Sequence, residues 1–409
     1  MSNLEELIER LCPDGVEYKT LGEVATDIYR GAGIKRDQIR KTGTPCVRYG
    51  EIYTTYGIFF DSCVSYTDES LLTTKKYFEY GDILFAITGE RVEDIAKSCA
   101  YVGHEKCLAG GDIVVLKHNE DPKYLSYALA TTDARRQKSF GKSKNKVVHS
   151  SVPAIKSIKL PVPPLEVQRE IVRILDNFTL LTAELVAELE ARQKQYEYYR
   201  NSLLTFEDIQ KSMIKSIPWV KLDNIIEFKN GKGHEKCINE NGQYIVVNSK
   251  FISTNGRVKK FSDQQLSPLY NNDILMVMSD LPNGQALAKT YLVKENSLYT
   301  LNQRICALTV KNKNYSTKFL FYYLNRNKQL LKYDNGVDQT NLKKGDILTV
   351  IVPVISLAEQ QRIVDILDRF DTLCNDISSG LPAEIEARQK QYEYYRDKLL
   401  NFKELKKEA

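Results

Sequence analysis

Hydrophobic and polar residues alternate over short distances in residues 1–160, and a similar pattern starts again at about residue 211. The segments 80–88 (YGDILFAIT) and 112–118 (DIVVLKH) are short apolar runs bounded by Gly, Asp or Thr. Such runs predict strands joined by tight turns. Residues 271–279 (NNDILMVMS) repeat the first run. The pattern therefore predicts two mixed, strand-rich domains.

Other segments add detail to each predicted domain. Residues 46–53 (CVRYGEIY) are predicted to form a further strand. Residues 122–137 (PKYLSYALATTDARRQ) keep apolar side chains at a spacing of three or four, which predicts one helix. Residues 316–330 (STKFLFYYLNRNKQL) repeat that helix in the second half.

The periodicity becomes that of a long helix after the proline-rich segment 159–168 (KLPVPPLEVQ). The stretch 165–206 predicts a helix of about 40 residues, which at about 1.5 Å per residue approaches 60 Å. Thr182 and Arg192 interrupt its apolar seam, as polar residues do when they fix the register of paired helices. A helix of this length needs a partner. The seam consists of Ile171, Leu175, Phe178, Leu185, Leu189, Tyr196, Tyr199 and Leu203.

A second long helix is predicted near the end of the chain. Residues 349–370 repeat the proline-rich exit and the helix start, and Gly380 and Pro382 are expected to break this second helix. Both helices contain the same segment, EARQKQYEYYR, at 190–200 and at 386–396. Chance does not produce such an identity, so one unit has been duplicated or one partner surface is presented twice.

The order along the chain is therefore domain, helix, domain, helix, which predicts an α+β fold with a pseudo-twofold internal repeat. The helices repeat closely, whereas the domains share framework strands and differ in their loops. Two different ligands would explain this divergence, and so would ordinary drift of surface loops. The predicted boundaries are 1–160 and 211–350 for the domains, and 161–210 and 351–409 for the helices.

Composition narrows the class of protein only slightly. The net charge of +5 permits a nucleic-acid partner without requiring one. No apolar run is long enough to span a membrane, and the first residues lack the features of a signal peptide. The eight cysteines include no C-x-x-C pair, which favours reduced thiols over a disulfide framework or a zinc site. We expect a cytoplasmic protein.

Several motifs taken together resemble the specificity (S) subunit of type I restriction–modification enzymes, over essentially the whole chain. They are the paired EARQKQYEYYR segments, the domain entries VEYKTLGEV and IPWVKLDNI, and the strands GDIL and NDIL. The proline exits LPVPPLEVQREI and VPVISLAEQQRI complete the set. Their order, present twice, makes the match specific, although each motif alone is weak.

The resemblance implies two target recognition domains, each reading one half of a split, asymmetric DNA sequence. The two helices would pair antiparallel as a coiled-coil spacer and set the gap between the half-sites. The subunit would be non-catalytic and would bind two modification (methyltransferase) subunits, with restriction subunits joining the full complex. No cofactor is expected in this chain, and S-adenosylmethionine would bind the modification subunits. The Gly-Pro break in the second helix is a departure from symmetry.

Polar and basic residues in loops are the candidate DNA contacts. Lysines can form ion pairs with phosphates, and such contacts position a protein on DNA without reading its sequence. Gln and Asn can form hydrogen bonds with the edge of adenine. Solvated loops and simple polar turns are the alternative explanation of the same residues. The candidates are Lys35, Arg36, Arg91, Lys142, Lys144, Lys146, His149, Lys250, Arg257, Asn283, Gln285, Gln339, Thr340 and Asn341.

The repeated segment supplies the candidate partner contacts. Its first and third tyrosines continue the apolar seam and are expected in the core, whereas the second points elsewhere. Exact duplication of an aromatic residue off the seam suggests a surface onto which two identical partners dock, and Tyr and Arg are enriched at such contacts. The candidates are Tyr198, Arg200, Tyr394 and Arg396.

The sequence offers little support for chemistry of its own. Gly141-Lys142-Ser143 mimics the end of a phosphate-binding loop, but Arg136 occupies the position of the required upstream glycine. The four histidines share no metal-ligand spacing. A protein-binding scaffold with duplicated interaction domains remains the alternative to a DNA reader, and a stand-alone nuclease or methyltransferase is a third possibility.

Overall fold

The computed structural model describes residues 3–141, 147–206, 217–281, 284–334, 336–376 and 378–405. The chain forms two compact units: unit 1 comprises Met1–Ala187 and Glu384–Ala409, and unit 2 comprises Glu188–Ala383. Unit 1 therefore contains the second copy of the repeated segment, and unit 2 contains the first copy. The divisions between the units, at 187/188 and 383/384, fall inside the two segments predicted as helices, 161–210 and 351–409.

The first half of the chain contains short strands, short helices and then one long helix. In chain order they are α1 (Asn3–Leu11), β1 (Tyr18–Thr20), α2 (Leu21–Val24), β2 (Ala25–Arg30), β3 (Ile39–Arg40), β4 (Thr44–Val47), α3 (Tyr49–Thr54), β5 (Phe59–Phe60), β6 (Ser65–Thr67), β7 (Tyr77–Phe78), β8 (Ile83–Ala86), β9 (Thr88–Gly89), β10 (Ser98–Tyr101), β11 (Cys107–Ala109), β12 (Ile113–His118), α4 (Pro122–Leu129), α5 (Thr132–Ser139), β13 (Val148–His149), α6 (Val152–Lys156), β14 (Lys159–Pro161) and α7 (Leu165–Leu204).

The second half repeats this order with fewer strands. Its elements are β15 (Trp219–Lys221), β16 (Ile226–Asn230), β17 (Tyr244–Val247), α8 (Ser249–Ser253), β18 (Phe261–Ser262), β19 (Ile274–Val277), β20 (Ser279–Asp280), β21 (Thr290–Leu292), β22 (Tyr299–Leu301), β23 (Ile305–Val310), α9 (Thr317–Leu324), α10 (Lys328–Leu331), β24 (Thr340–Asn341), α11 (Lys344–Leu348), β25 (Ile351–Pro353), α12 (Leu357–Asn375) and α13 (Leu381–Leu399).

The sheets of the two units correspond one to one. The strand orders β2-β12-β8-β10-β5, β3-β6-β4-β11-β7, β1-β14 and β13-β9 form unit 1. Unit 2 has β16-β23-β19-β21, β18-β17-β22, β15-β25 and β20-β24. The α+β fold with an internal repeat, predicted from the sequence, is therefore confirmed. The strands β3, β5 and β7 have no named equivalent among the described residues of unit 2.

The central strands read as unbroken apolar runs because both of their faces are buried. In β8, Ile83 and Phe85 enter one hydrophobic core, whereas Leu84 and Ala86 enter a second core on the opposite face. This alternation follows from the two-residue repeat of a strand. β19 divides its side chains between two cores of unit 2 in the same way. The continuous hydrophobicity of these segments thus reflects their position in the middle of a layered unit.

The long helix α7 covers 40 residues, close to the span predicted from its seam. The predicted break in the second helix is also confirmed, because α12 ends at Asn375 and α13 begins at Leu381. Gly380 is required there: a Cβ atom at this position would lie 2.4 Å from the carbonyl oxygen of Thr372. No helix in the described part of the chain is long and apolar enough to cross a membrane.

Three predictions of secondary structure were wrong. Residues 316–330, predicted as one helix, form α9 and α10, because Asn327 caps the second helix by accepting the Gln329 N–H. Residues 122–137 form two helices because Thr131 caps the second one, accepting the Ala134 N–H and donating to the Ala128 carbonyl. Such local side-chain bonds compete with the continuing helix. In 46–53 the strand ends at Val47, and α3 follows. Its start is stabilised by the Glu51 carboxylate, which accepts the backbone N–H of Arg48 at 3.0 Å.

Each long helix is fixed to its own unit by a buried glutamine near its start. Gln168 accepts the Asp121 N–H at 3.0 Å and donates to the Pro163 carbonyl at 2.8 Å. Gln360 accepts the Ser316 N–H at 2.7 Å and donates to the Asn314 carbonyl at 2.8 Å. Both side chains are completely buried. The contacts common to both glutamines are the backbone N–H before α4 or α9 and the carbonyl five residues before the glutamine, which is Pro163 or Ile355.

A second duplicated contact lies two turns further along each helix. Asp176 accepts hydrogen bonds from Lys123 at 2.7 Å and from the Tyr127 hydroxyl at 2.8 Å. Asp368 does the same with Lys318 at 2.6 Å and Tyr322 at 2.7 Å. These charge-assisted bonds orient the helix against α4 in unit 1 and against α9 in unit 2.

A buried lysine makes the stability of unit 1 depend on pH. Lys138 donates to the Ser98 hydroxyl at 3.1 Å and to the Leu129 carbonyl at 2.9 Å. Burial, together with the nearby Arg135 cation, lowers the pKa of Lys138 from 10.5 to about 7. Between these two values the unfolded chain binds more protons than the folded unit, so the free energy of unfolding rises with pH.

The substitution Lys138→Met is expected to remove this rise. Below about pH 7 the lysine is charged in both states, so the difference between wild type and variant should be constant there. Urea unfolding of both proteins from about pH 6 to about pH 10 measures the difference. Parallel curves across the whole range would show that the charge of Lys138 does not oppose folding.

Candidate nucleic-acid interface

In unit 1, the structure brings together two of the loops that the sequence marked as candidates. The strand β9 pairs antiparallel with β13, so that Thr88 lies opposite His149. The Thr88 hydroxyl lies 3.2 Å from Nδ1 of His149. Arg91 follows β9 and is exposed, as is His149. Lys142, Lys144 and Lys146 lie outside the described residues. We call the exposed edge formed by Arg91 and His149 the unit 1 edge.

Unit 2 has an equivalent edge with different side chains. β20 pairs antiparallel with β24, so that Ser279 lies opposite Asn341, and the Gln339 amide donates to the Ser279 hydroxyl at 2.7 Å. Gln339 and Asn341 are exposed. Thr340 is buried, and its hydroxyl lies 3.4 Å from Asp334 Oδ1, so the structure does not place it as an exposed contact. We call the exposed pair Gln339 and Asn341 the unit 2 edge.

The loop that follows β20 is shaped by the carboxylate of Asp280. This carboxylate accepts the backbone N–H groups of Ala286 at 2.7 Å and Leu287 at 3.2 Å. A Cβ atom at Gly284 would lie 2.1 Å from Asp280 Oδ2, so glycine permits this close approach. Gln285 is exposed on the same loop, and Asn283 lies outside the described residues.

The remaining candidate cations lie away from these two strand pairs in sequence and in sheet assignment. Lys35 and Arg36 are exposed just before β3, which belongs to the second sheet of unit 1. Lys250 is exposed in α8, and Arg257 is exposed shortly after it. The structure thus does not join these residues to the unit 1 edge or to the unit 2 edge through strand pairing.

Sequence reasoning missed a lysine cluster in unit 1. The antiparallel pairing of β7 with β11 brings Lys76 and Lys106, which are thirty residues apart in sequence, to the wall of one open cavity. The volume of this cavity is about 500 Å³. The Lys106 ammonium lies 4.4 Å from the centre of the Tyr77 ring, and that of Lys76 lies 5.6 Å from the Tyr29 ring. The adjacent lysines in TTKKYF (73–78) were the only local signal.

The second tyrosine of each copy of the repeated segment is exposed, whereas neither Arg200 nor Arg396 is fully exposed. Tyr198 is 70% exposed and Tyr394 is 62% exposed. Of the tyrosines expected in the core, Tyr196 contacts Phe370 within unit 2 and Tyr392 is buried against Tyr127 within unit 1. Tyr199 also stacks on Phe370 but remains 39% exposed, so the prediction that it lies in the core was wrong.

Arg396 is an exception among the predicted partner contacts, because it is only 2% exposed. Its guanidinium is bound to the Asp397 carboxylate, so the prediction that it lies on a docking surface was wrong. Arg200 is half-buried and donates to the Asn325 carbonyl, and burial lowers its pKa. The exposed part of each copy is therefore its second tyrosine.

Metal ligands are not gathered anywhere in the described ranges, where no group of three or more His, Cys, Asp or Glu side chains is arranged to hold an ion. At least one histidine has a structural role instead. His234, for example, is buried, and its ring nitrogens lie 2.7 Å from the Lys232 carbonyl and 2.8 Å from the Thr300 hydroxyl.

Comparison with known sequences gives one consistent result. A family model described as "Type I restriction modification DNA specificity domain" matches the chain twice, at residues 13–192 and 217–387. The specificity subunit of the type I restriction enzyme EcoR124I/EcoR124II of Escherichia coli is 36% identical over 296 residues, which cover 68% of this chain and 70% of that protein. A putative type I specificity subunit of Mycoplasma pneumoniae is 34% identical over 241 residues, covering 58% and 91%.

Solved structures agree on the fold. An S subunit of a type I restriction–modification system from M. genitalium superimposes with a TM-score of 0.51, covering 94% of this chain and 96% of that one. A chain from a structure of complex assembly in a type I system gives a TM-score of 0.60, covering 96% and 98%. Both are 16% identical to this chain, so they bear on its architecture alone.

Proposed function

The chain belongs to the family of type I restriction modification DNA specificity proteins, and we propose that it is the non-catalytic DNA-recognition subunit of such a complex. Each unit reads one half of a split, asymmetric DNA target. One observation carries this proposal: the same strand pair, β9–β13 in unit 1 and β20–β24 in unit 2, presents different polar side chains in the two units.

The two edges differ in the chemistry that they offer to DNA. The unit 1 edge presents a guanidinium and an imidazole, and Arg binds the acceptors of guanine in the major groove. The unit 2 edge presents two amide side chains, which suit the donor and acceptor of adenine. Two dissimilar readers on one framework give an asymmetric target. The long helices that follow the two domains set the gap between its halves.

Contacts to the phosphates come from a different surface of unit 1. Lys76 and Lys106 lie over tyrosine rings and are exposed, so their charges are available to a polyanion. Lys117 on the same surface is neutralised by Glu79 at 2.8 Å and Asp82 at 3.0 Å. Phosphate contacts of this kind position a protein on the duplex without reading its sequence.

DNA binding by the chain together with modification subunits tests the proposal. We expect a random duplex library to yield one target with two defined halves and a fixed gap. Affinity should fall as salt rises, because bound lysines release counterions from the DNA. The double substitution Lys76→Ala/Lys106→Ala should reduce the slope of log affinity against log salt by about two, with Lys156→Ala as a control. Binding that ignores both salt and sequence would favour a protein scaffold instead.

The partners follow from the duplicated tyrosines. Two identical modification subunits would each bind one copy of the repeated segment through Tyr198 or Tyr394, and restriction subunits would join this assembly. S-adenosylmethionine would be held by the modification subunits, and this chain would need no cofactor.

Substitution of one tyrosine is expected to remove one partner. Tyr198→Ala or Tyr394→Ala alone should leave a complex with a single modification subunit, and the double variant should bind neither. An exposed aromatic anchor at an interface typically contributes about 2 kcal/mol or more. Native mass spectrometry of the purified complexes measures the stoichiometry, with the exposed Tyr80→Ala as a control. Two bound subunits in the double variant would refute this docking surface.

A further inference from the structure

The internal repeat allows the surroundings of two identical arginines to be compared within one chain. Arg200 and Arg396 are the last residues of the two copies of the repeated segment, and the identity ends immediately after them. The next residue is Asn201 in the first copy and Asp397 in the second. One copy is therefore followed by a carboxylate and the other by a neutral amide of nearly the same shape.

In unit 1 the carboxylate of Asp397 satisfies two groups. Its Oδ1 accepts Nε and Nη2 of Arg396 at 2.8 and 2.7 Å. Its Oδ2 accepts the hydroxyl of Thr132 at 2.5 Å and the backbone N–H of the same residue at 3.4 Å. Thr132 is the first residue of α5, the second of the two short helices that follow the central sheet. The arginine is thus neutralised inside its unit.

In unit 2 the corresponding place is a cavity of about 490 Å³. Arg200 donates to the carbonyl of Asn325, but its Nε is buried and has no hydrogen-bond partner. Arg326 and Lys328 add two more cations to the wall. The described residues that line the cavity include no Asp or Glu, and Glu197, which acts electrostatically on Arg200, is not among them.

We propose that this cavity binds a carboxylate-bearing ligand, either a small free acid or an acidic side chain of a peptide, which takes the place that the Asp397 carboxylate occupies in unit 1. A carboxylate accepts two parallel hydrogen bonds from a guanidinium, and charge-assisted bonds of this kind are stronger than neutral ones. The buried Nε of Arg200 gains a partner in this arrangement. An unpaired buried donor is costly, so the site favours occupation.

The rest of the wall accommodates an apolar part of the ligand. Leu204, Phe206, Trp219 and Tyr323 line the cavity together with the polar residues. The volume is far larger than a carboxylate group needs and lies within the range of small-molecule sites. The ligand class is thus a carboxylate attached to a short hydrocarbon chain, as in glutarate or a glutamate side chain. This site does not depend on the proposed reading of DNA.

The cavity contains its own reporter, because Trp219 is the single tryptophan of the chain. We expect glutarate and the peptide acetyl-Gly-Glu-Gly-amide to change its fluorescence saturably, whereas the peptide with Gln in place of Glu should not. The relative affinities of glutarate and the acidic peptide decide whether a free acid or a peptide is preferred. Inorganic phosphate binding as tightly as either carboxylate would overturn the ligand class, and no response to any probe would overturn the site.

Substitutions at one position provide matched controls. Asn201→Asp supplies the internal carboxylate and should weaken glutarate binding by about tenfold or more, because the arginine is then already paired. Asn201→Ser leaves the arginine unpaired and should retain the response. Loss of binding in both variants, or in neither, would contradict the proposal.

A carboxylate of the chain itself is the competing occupant. Glu207 and Asp208 follow Phe206 in the sequence and lie outside the described residues. The double variant Glu207→Gln/Asp208→Asn should bind glutarate as the wild type does. If glutarate bound to this variant alone, the occupant would be the chain itself, and the proposal of an external ligand would be wrong.

Discussion

Replacing Gln339 and Asn341 with alanine is expected to weaken binding of the cognate DNA by about 30- to 20,000-fold, since each bidentate contact of an amide side chain with adenine contributes about 1–3 kcal/mol and two such contacts are lost. Both side chains are exposed on the β20–β24 pair, and the Ser279 hydroxyl orients the Gln339 amide. Binding to unrelated duplexes should change little, because neither side chain carries a charge.

The specificity of the effect is more informative than its size. Only the half-site read by unit 2 should become degenerate, whereas the half-site read by unit 1 should remain unchanged. Binding to duplexes in which one half-site at a time is randomised measures this difference. Asn241→Ala, at an exposed asparagine on another loop of unit 2, is the control. Equal loss of information in both half-sites would show that the unit 2 edge does not read bases.

Replacing either buried glutamine with leucine is expected to lower the stability of its own unit by about 2–4 kcal/mol. The shape of the side chain is largely kept, but Gln360→Leu leaves the Ser316 N–H and the Asn314 carbonyl without a partner. Gln168→Leu does the same to the Asp121 N–H and the Pro163 carbonyl in unit 1. Each substitution removes the side-chain partner of one backbone N–H and one backbone carbonyl at the start of a helix.

Urea unfolding followed by hydrogen exchange assigns the loss to one unit. Gln361→Leu is the matched control, since this glutamine is exposed beside Gln360 and bonds only to Asp365 on its own helix. We expect that variant to change the free energy of unfolding by less than about 0.5 kcal/mol. A similar small change in Gln360→Leu would show that the buried contact does not fix the helix to the unit.

The sequence predicted those features that depend on local periodicity. The bounds of α7 followed from its seam, and the break before α13 followed from Gly380 and Pro382. The strand β8 was visible because its run of apolar residues is buried on both faces. In contrast, side-chain hydrogen bonds of Thr131 and Glu51 determine where α5 and α3 begin. The hydrophobic periodicity of the sequence does not reveal such bonds.

The candidate site was only partly predictable for a related reason. The loops that contain His149 and Arg91 were identified separately, but their convergence depends on the pairing of β9 with β13. The Lys76–Lys106 cluster likewise depends on the pairing of β7 with β11. Which copy of the repeated segment packs into which unit could not be deduced, because the two copies have the same sequence. The burial of Arg396 depends on that packing, and its only signal in the sequence was the adjacent Asp397, which replaces the Asn201 of the first copy.

The two units differ in when the ribosome completes them. Unit 2 is one continuous stretch of the chain, whereas unit 1 needs residues from both ends. Val16 bonds to the carbonyl of Lys403, and Tyr392 and Leu400 enter the core of unit 1. During synthesis the core of unit 1 therefore stays incomplete until Tyr392, Leu400 and Lys403 have emerged. Unit 2 closes earlier, so the N-terminal half of this protein is the last to become fully folded.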